Sequence, residues 1–330
     1  MRKKLFHFLI SGVMLAAGVT ANGQTDLDAI MMGKRQLCIG PMYSYSSWKN
    51  YWEGQLKRQN LNMGTVSTQA ISLMGAYGVS DKLNVLFGAP YIKTKASAGT
   101  LHGMKGIQDL NLFIKWMPIE KQLGKGTFSL YTIGGISAPL TNYTPDFLPL
   151  SIGLRSKTAS ARLMLDYEMN NIFATVSGTY VARDNIKIDR NSYYTDHLIL
   201  SDEVEMPDAS NFNFRIGYRS SKLVAEAVVN KWTTLGGFDM NQSRFDSAAS
   251  YPNNNMPFPS NRMNATTAGF NVKYVVTNDH ALSIVAGGNT TITGRNVGKS
   301  TAYYGSIFYI IEIGKKPNTK SSAKPEPAKK

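Results

Sequence analysis

The feature of this chain that most constrains its fold is a period-two alternation of apolar and polar side chains. From Leu37 onward, apolar residues recur at every second position, the spacing that places neighbouring side chains on opposite faces of a β-strand. The alternation is cleanest over residues 110–116, 161–167, 212–218 and 270–274. Because no helical repeat accompanies this pattern, the sequence predicts an all-β protein.

Twelve strands are predicted from the alternation, most of them ten to thirteen residues long. Strands of soluble sheets usually have about 5 to 6 residues, whereas a tilted membrane-spanning strand has about 9 to 11. The predicted strands therefore have the length of membrane-spanning strands. Their boundaries are 35–46, 65–77, 83–92, 107–117, 127–138, 158–167, 172–182, 210–219, 223–232, 264–275, 281–292 and 301–313.

The connections between these strands alternate between long and short. An up-and-down membrane barrel has this asymmetry, with long loops outside the cell and short turns in the periplasm. We therefore predict a closed antiparallel up-and-down transmembrane β-barrel over residues 35–313. The long connections are 47–64, 93–106, 139–157, 183–209 and 233–263, followed by a shorter one at 293–300. The short turns are 78–82, 118–126, 168–171, 220–222 and 277–280.

A soluble β-sandwich or soluble barrel also alternates apolar and polar positions, so the polarity of each face must decide between these folds. In a membrane barrel the apolar face contacts lipid, and the inward face carries polar and charged side chains. The predicted strands carry mid-strand charges of both signs, and Tyr and Trp lie near strand ends, where an aromatic girdle belongs. The predicted pore-lining residues are Asp109, Lys115, Arg162, Asp166, Arg215, Arg219, Glu226, Lys273 and Glu312.

The N-terminus has the pattern of an export signal. Arg2, Lys3 and Lys4 precede an apolar stretch over residues 5–19, and residues 21–23 supply the small side chains that a signal peptidase reads. This pattern predicts a signal peptide over residues 1–23 and a location in the outer membrane of a Gram-negative bacterium. No later apolar run is long enough for a membrane-spanning helix, and a single cysteine excludes an internal disulfide.

The formal charge of +14 suggests by itself an anionic partner. Much of this charge lies outside the predicted barrel, because the signal peptide carries +3 and residues 314–330 carry +5, which leaves +6 for residues 24–313. The chain has no nucleic-acid-binding motif, so nucleic acid is not a predicted partner. Residues 314–330 are predicted to form a disordered basic periplasmic tail that contacts cell wall or lipid headgroups.

Four short motifs resemble those of a known family of outer-membrane barrels. They are YGVSDKL at 77–83, GAPY at 88–91, GIQDL at 106–110 and GRNVG at 294–298. The resemblance is to the meta-pathway phenol-degradation transporters, which are distantly similar to the long-chain fatty-acid channels. It implies a passive channel for small hydrophobic or aromatic solutes, with outer-membrane lipid and the barrel-assembly machinery as further partners.

Two features depart from that pattern. Residues 24–34, predicted to be a short periplasmic segment, are too few for a plug domain like that of the fatty-acid channels. A loop or an inward strand kink is therefore expected to gate the pore. The last predicted strand ends at Ile313 and is followed by the tail, whereas bacterial barrels commonly finish on an aromatic residue. Assembly recognition would then read Phe308 or Tyr309.

Two of the long loops contain candidate recognition residues. Trp48 and Trp52 in the first loop are candidates for a platform that binds an aromatic ligand, with Lys57 or Arg58 selecting an anionic group. The alternative is that these aromatic residues anchor the barrel in the outer leaflet. The fifth loop is either a lid folded inward or a mobile exposed loop. Its apolar residues are Phe238, Phe245, Tyr251, Met256, Pro257 and Phe258.

Catalysis has little support in the sequence. His102 and His197 lie in predicted outer loops, and neither has a Ser at a spacing that would form a nucleophile pair. We predict no enzymatic activity, no metal and no cofactor. A passive channel is the predicted function, and the alternative is a structural or adhesion barrel closed by pairs such as Arg162 with Asp166. An outer-membrane hydrolase is a more remote alternative.

Overall fold

The computed structural model describes residues 25–195, 197–239 and 256–314, and its main feature is one large antiparallel sheet. Twelve long strands form this sheet in chain order, and neighbours along the chain are hydrogen-bonded to each other. They are β1 (Gln36–Trp48), β2 (Val66–Ser80), β3 (Leu83–Ala96), β4 (Asp109–Leu123), β5 (Gly126–Pro139), β6 (Thr158–Met169), β7 (Ile172–Arg183), β8 (Ala209–Arg219), β9 (Leu223–Thr234), β10 (Asn264–Val275), β11 (Leu282–Arg295) and β12 (Thr301–Glu312).

The sheet closes into a barrel because β1 pairs with β12 as well as with β2. The register of the closing pair runs from Gln36 opposite Glu312 to Ser47 opposite Thr301. Each long strand therefore has two partners, and the barrel has no free edge at which another chain would pair. The predicted twelve-stranded closed antiparallel barrel is confirmed, and each predicted strand overlaps an observed one.

The largest difference from the predicted boundaries is the hairpin between β4 and β5. A turn was expected over residues 118–126, but β4 continues to Leu123 and β5 begins at Gly126. Pro118, which has no N–H to donate to the ladder, lies at a register shift between Trp116 and Ile119, and pairing resumes beyond it. The proline therefore interrupts the ladder locally without ending the hairpin.

The two faces of the barrel have opposite polarity. On β4 the outward-pointing Ile114 is 56% exposed, whereas its neighbour Lys115 is 0% exposed and points into the lumen. The outward face thus carries the apolar side chains and the inward face the charged ones, as a barrel surrounded by lipid requires. Exposed apolar residues include Ile71, Leu163, Phe212, Phe270 and Ile307, and buried polar residues include Asp166, Thr175, Arg215, Glu226 and Lys273.

Aromatic rings cross the backbone of neighbouring strands where those strands have glycine. The Tyr304 ring of β12 lies over Gly287 of β11, and a Cβ at position 287 would overlap the phenol ring. Phe87 of β3 covers Gly75 of β2 in the same way. Glycine is needed at these two positions because any side chain would push the ring off the barrel wall.

The two ends of the barrel have different connections. At the end where the barrel begins and finishes, Asn170 and Asn171 form a two-residue turn with positive φ values of 52° and 67°. At the other end the long connections fold into short hairpins, such as Asn50–Glu53 paired with Leu56–Gln59. There the short strand Lys105–Ile107 also extends the wall beside β3.

Helix in the described part of the chain is limited to two single 3-10 turns, Pro145–Phe147 and Phe258–Ser260. Neither turn, nor any other described helix, is long and apolar enough to cross a membrane.

Candidate functional site in the barrel lumen

Residues 25–34, called the N-terminal segment below, enter the barrel and contact its inward-facing side chains. Lys115 Nζ of β4 donates hydrogen bonds to Asp28 Oδ1 at 3.1 Å and to the carbonyl oxygens of Thr25 and Ile30 at 3.2 and 2.9 Å. Because the Lys115 side chain is fully buried, these oxygens replace the water that its ammonium group would otherwise bind.

Two further inward-facing side chains hold the segment on the same side of the lumen. Arg162 Nη1 of β6 donates to Asp26 Oδ2 at 2.8 Å, and Tyr131 Oη of β5 donates to the carbonyl oxygen of Ala29 at 2.9 Å. Met32 is fully buried and packs in an apolar cluster with Cys38, Ala76, Leu86 and Phe308. The segment is therefore bound by β4, β5 and β6 and fixed at its base by apolar packing.

Residues 24–34 were expected to be a short periplasmic segment with too few residues for a plug domain, and a loop or a strand kink was expected to gate the pore. The structure instead places residues 25–30 against inward-facing side chains of the lumen. Ten residues are enough because charge and hydrogen bonding, rather than bulk, hold them in place. At the base, Arg35 has a positive φ of 63°, and its backbone N–H donates to the Gly78 carbonyl oxygen at 2.7 Å. This conformation reverses the chain, so the residues before β1 run back into the lumen.

The Asp28 carboxylate also folds the segment on itself. It accepts hydrogen bonds from the Thr25 backbone N–H at 2.6 Å, from the Thr25 hydroxyl at 2.9 Å and from the Ile30 N–H at 3.1 Å. Asp side chains commonly bond nearby backbone groups in this way and stabilise a local turn. The turn directs the carbonyl oxygens of residues 25 and 30 at Lys115.

On the opposite wall of the lumen, formed by β8 to β12, the charged side chains pair with groups of that same wall. Arg215 Nη1 of β8 donates to Glu226 Oε1 of β9 at 2.6 Å, and Arg215 Nε donates to Asn213 Oδ1 at 3.1 Å. Asn271 Nδ2 of β10 donates to the same Glu226 oxygen at 3.0 Å, and Tyr304 Oη donates to Asn271 Oδ1 at 3.3 Å. This network joins β8, β9, β10 and β12 without any residue of the N-terminal segment.

Arg219 forms a second cluster closer to the short-turn end. Its Nη1 donates to Asp166 Oδ2 at 3.0 Å and to Glu168 Oε2 at 2.8 Å, and its guanidinium carbon lies 4.0 Å from the Phe173 ring centre. The expected pairing of Arg162 with Asp166 is therefore wrong. Residues four apart along a strand share a face but lie about 13 Å apart, so each side chain finds a partner elsewhere.

A cavity of about 450 Å³, called the lumenal cavity below, lies between the N-terminal segment and this opposite wall. Amide, hydroxyl and paired ionic groups form one part of its surface, including Asn213, Asn230, Asn271, Arg215 and Glu226. Apolar side chains form another part, among them Met42, Met74, Val285 and Phe308. The lumen is thus filled against β4–β6 and open against β8–β12.

The remaining predicted lining residues occupy different depths. Lys273 is 3% exposed and lines the lumenal cavity. Asp109 lies at the long-loop end of β4, where its Oδ1 accepts a hydrogen bond from Tyr143 Oη at 2.7 Å. Glu312 is exposed at the last residue of β12, at the rim of the barrel. Seven of the nine predicted strand charges therefore surround the lumen, and two lie at its ends.

The four residues of the predicted aromatic platform lie in and beside the first outer loop. Trp52 is 8% exposed and packs against Gly294, while Trp48 packs against Gly298. Arg58 Nε lies 2.8 Å from Glu53 Oε2, so its charge is paired, and Lys57 is exposed. Trp48 ends β1, and Trp52, Lys57 and Arg58 lie in the hairpin that follows it and packs on the outer loop after β11. None of the four residues lines the lumenal cavity.

Asn296 joins three outer loops. Its Oδ1 accepts a hydrogen bond from the Gly54 N–H at 2.6 Å, and its Nδ2 donates to Asp239 Oδ1 at 2.9 Å. Arg295 Nε donates to Asp239 Oδ2 at 2.9 Å. Burial alone would raise the pKa of Asp239, but the hydrogen bonds from Arg295 and Asn296 outweigh it and hold this pKa below its usual value.

The fifth loop and the loop histidines contribute no group to the lumenal cavity among the described residues. Pro257 is buried and Phe258 is 38% exposed, while Phe245 and Tyr251 lie outside the described residues. The inward lid therefore stays a prediction for that part of the loop. His102 and His197 are both exposed in outer loops.

Sequence reasoning missed Asp26, Asp28 and Tyr131 as functional residues. Tyr131 lies in a predicted strand but was not singled out, because a tyrosine on an inward face carries no charge signal. Asp26 and Asp28 had a detectable signal. Five cations were predicted to line the lumen, and of the four predicted acids Asp109 and Glu312 stand at the ends of their predicted strands, which leaves Asp166 and Glu226 to oppose the cations mid-strand. Further carboxylates were needed, and the chain before β1 contains two.

A closed twelve-stranded antiparallel barrel with an apolar exterior and a charged lumen is the fold of an outer-membrane β-barrel protein. Neither a protein-family model nor a curated protein matches this chain. Among solved structures, it is similar to the COG4313 outer membrane channel from Pseudomonas putida F1. The two are 12% identical, with a TM-score of 0.64 over 88% of this chain and 100% of that chain.

Two other solved barrels are more distantly similar. The translocator domain of the autotransporter NalP from Neisseria meningitidis is 11% identical over 86% of this chain and 90% of that chain, with a TM-score of 0.44. A FadL homologue from Pseudomonas aeruginosa is 10% identical over 84% of this chain and 90% of that chain, with a TM-score of 0.34. At such identities the likeness concerns the fold alone.

Proposed function

We propose that this protein is an outer-membrane channel through which small hydrophobic or aromatic solutes cross passively. The observation that carries this proposal is the lumenal cavity, a space of about 450 Å³ that stays open inside a closed barrel beside the N-terminal segment. A cavity of this volume is in the range of those that hold small molecules. Membership of the phenol-degradation transporter family remains part of the proposal.

The surface of the cavity supports this class of solute. Met42, Met74, Val285 and Phe308 offer an apolar side to a ring, while the amides of the opposite side offer donors and acceptors to its substituents. Arg215 and Glu226 neutralise each other within hydrogen-bonding distance, which favours a neutral solute over an ion. An aromatic ring that carries a hydroxyl or other neutral polar group fits both sides.

Passage of a solute through the barrel requires the N-terminal segment to move away from its position in the lumen. Lys115 and Arg162 bind Asp28 and Asp26, and each of these charge-assisted hydrogen bonds contributes about 1.5 to 3 kcal/mol. The proposed closed state is the one described above. In the open state the segment leaves the β4–β6 wall, and water or solute replaces its oxygens around the two cations.

The second candidate is a structural or adhesion barrel with a permanently closed lumen. The observation that favours it is the number of contacts that fix the same segment, including the buried Met32 and the chain reversal at Arg35. Both candidates predict the same fold and differ only in solute flux.

Solute flux into liposomes separates the two candidates. The full mature chain is reconstituted, and entry of a neutral phenol and of ions is measured for the unaltered protein and for Asp26→Asn with Asp28→Asn. A channel gives flux above protein-free liposomes, and the double variant raises it about tenfold, since 1.4 kcal/mol of lost binding is a factor of ten. Asp279→Asn, in an exposed turn, is the matched control and leaves flux unchanged. Absence of flux from both the unaltered protein and the double variant favours the closed barrel.

The proposed location has its own test. Export by the signal peptide and assembly in the outer membrane predict heat-modifiable migration on SDS gels and recovery in the outer-membrane fraction. Residues 315–330 lie outside the described residues, and their contact with an anionic periplasmic partner remains a proposal. Recovery of an intact, soluble periplasmic protein would contradict both the location and the channel.

A further inference from the structure

Three lysines form an exposed patch on the outward face at the long-loop end of the barrel. Lys93 and Lys95 lie on β3, and Lys105 lies on the short strand that extends the wall beside it. All three are exposed, and Lys93 is the direct cross-strand partner of Lys105. These residues are called the lysine patch below.

The direct pairing of Lys93 with Lys105 is unfavourable unless an anion is present. Like charges opposite each other on neighbouring strands destabilise a sheet. The other cross-strand partners, Gln69 opposite Lys93 and Ser67 opposite Lys95, carry no charge. Between Glu53 and Asp109 the sequence has a single acidic residue, Asp81, which lies in the tight turn at the other end of the barrel. Residues 82–108, the stretch that contains the patch, therefore include no acidic residue.

The height of the patch on the barrel indicates what supplies the anion. Two residues before Lys93, Tyr91 is 44% exposed and pairs with Ile107, which is also 44% exposed. This pair ends the apolar outward surface of β3 and its neighbour, and the lysines follow directly. In a membrane barrel, the step from an apolar to a charged outward surface lies at the headgroups of the leaflet, here the leaflet on the long-loop side.

We propose that the lysine patch binds the phosphate groups of a phosphorylated glycolipid in the outer leaflet. This inference rests on the proposed outer-membrane location but not on the channel activity. Three ammonium groups on adjoining strands match the charge of phosphate groups at the top of a lipid that packs against Tyr91 and Ile107. The lipid then relieves the repulsion between Lys93 and Lys105 and fixes this side of the barrel in the leaflet.

The barrel offers a matched control on its other side. Lys231 of β9 is exposed, outward-facing and near the long-loop end, but its cross-strand partners are Phe212 and Thr266. A single lysine without a cationic neighbour has no repulsion to relieve and presents one ammonium group instead of three. Replacing it tests whether any outward lysine at this end is sufficient.

The experiment compares glycolipid binding by the full mature chain and its variants in detergent. The probes are lipopolysaccharide with phosphorylated lipid A, the same lipid after enzymatic dephosphorylation, and inorganic phosphate as a competitor. We expect the triple variant Lys93→Gln, Lys95→Gln and Lys105→Gln to bind the phosphorylated lipid about tenfold more weakly than the unaltered protein, with the difference disappearing in high salt. Lys231→Gln should bind as the unaltered protein does.

Three outcomes would overturn the proposal. Equal binding by the triple variant shows that the patch does not bind the lipid. Equal binding of the dephosphorylated lipid removes the role of phosphate. Displacement of the lipid by inorganic phosphate at equal concentration indicates a site for a free anion instead. Heat-modifiable migration of the triple variant confirms that it is folded, and normal solute flux separates failure here from failure of the proposed channel.

Discussion

The β4–β6 wall and the β8–β12 wall of the lumen both carry buried charge, but they neutralise it in different ways. Lys115 and Arg162 on the first wall take their partners from the N-terminal segment, whereas Arg215 on the second takes Glu226 from the adjacent strand. The first wall is therefore covered by ten residues of chain, and the second remains open to a cavity. The position of the partner acid decides which part of a barrel is filled.

The largest expected effect is a loss of barrel stability when Glu226 is removed from the β8–β12 wall. Glu226→Ala leaves Arg215 buried without its partner, which should lower the free energy of unfolding by about 3 to 5 kcal/mol. The temperature at which the compact band disappears from SDS gels measures this loss. Replacing both residues, Arg215→Met with Glu226→Leu, should restore most of the stability, because a buried pair is often replaceable by apolar residues. If Glu226→Ala is as stable as the parent, the wall is not held by this pair.

A smaller effect is expected at the glycine that accommodates Tyr304. Gly287→Ala displaces the Tyr304 ring and breaks its hydrogen bond to Asn271, which should cost about 1 to 3 kcal/mol. Gly134→Ala is the control, since a Cβ there meets no atom within 4 Å. The same unfolding assay applies, and equal losses for the two variants would contradict the proposed packing.

Weakening the contacts between the N-terminal segment and the β4–β6 wall should change the accessibility of Cys38 more than it changes the stability of the barrel. This single cysteine is 1% exposed and packs with Met32 at the base of the N-terminal segment. Asp28→Asn weakens the bonds to Lys115, so transient departure of the segment and labelling of Cys38 by a small maleimide should be about tenfold faster. Glu226→Gln on the opposite wall should not accelerate labelling at a temperature where the barrel is folded. Equal acceleration by both variants would show that the two walls open together.

The smallest effect concerns the outer loops. The pKa of Asp239 is held below its usual value by its bonds to Arg295 and Asn296. These bonds therefore stabilise the outer loops fully at any pH above the usual pKa of an Asp side chain, and the stabilisation is lost only as the pH falls through the lowered pKa. Protease cleavage of the loops should therefore be unchanged from neutral pH down to mildly acidic pH. Asp239→Asn should increase cleavage at neutral pH by severalfold at most, as expected for the loss of less than about 1 kcal/mol. A steep rise in cleavage of the parent near pH 6 would contradict the lowered pKa.

The strands were predictable because their signal is local. Period-two alternation and the order of long and short connections are properties of a few neighbouring residues, and they gave twelve strands and the polarity of both faces. The end of β4 was predicted too early because Pro118 was expected to end the strand. A strand can continue past a proline at a register shift, and whether it does depends on how the partner strand pairs there. The site was less predictable because its partners are distant, with Asp26 and Arg162 separated by 136 residues in the chain.

The packing of Trp48 and Trp52 was hard to predict for a related reason. Two tryptophans and two cations in one loop are compatible with an open binding surface and with burial against another loop. The choice depends on Gly294 and Gly298, whose lack of side chains leaves space for the two indole rings. Such complementarity between segments more than two hundred positions apart is not visible in either segment alone.

The chain reversal at Arg35 means that the N-terminal segment is tethered to β1 while it lies against the β4–β6 wall of the same barrel. A segment of ten residues that leaves the β4–β6 wall remains within a few nanometres of it, at an effective concentration in the millimolar range or above. Its return is then a unimolecular event that needs no diffusion through the periplasm, and its rate does not depend on how much protein the membrane contains. In the proposed channel, each barrel therefore carries its own closing peptide, and the lumen of every molecule is closed again independently.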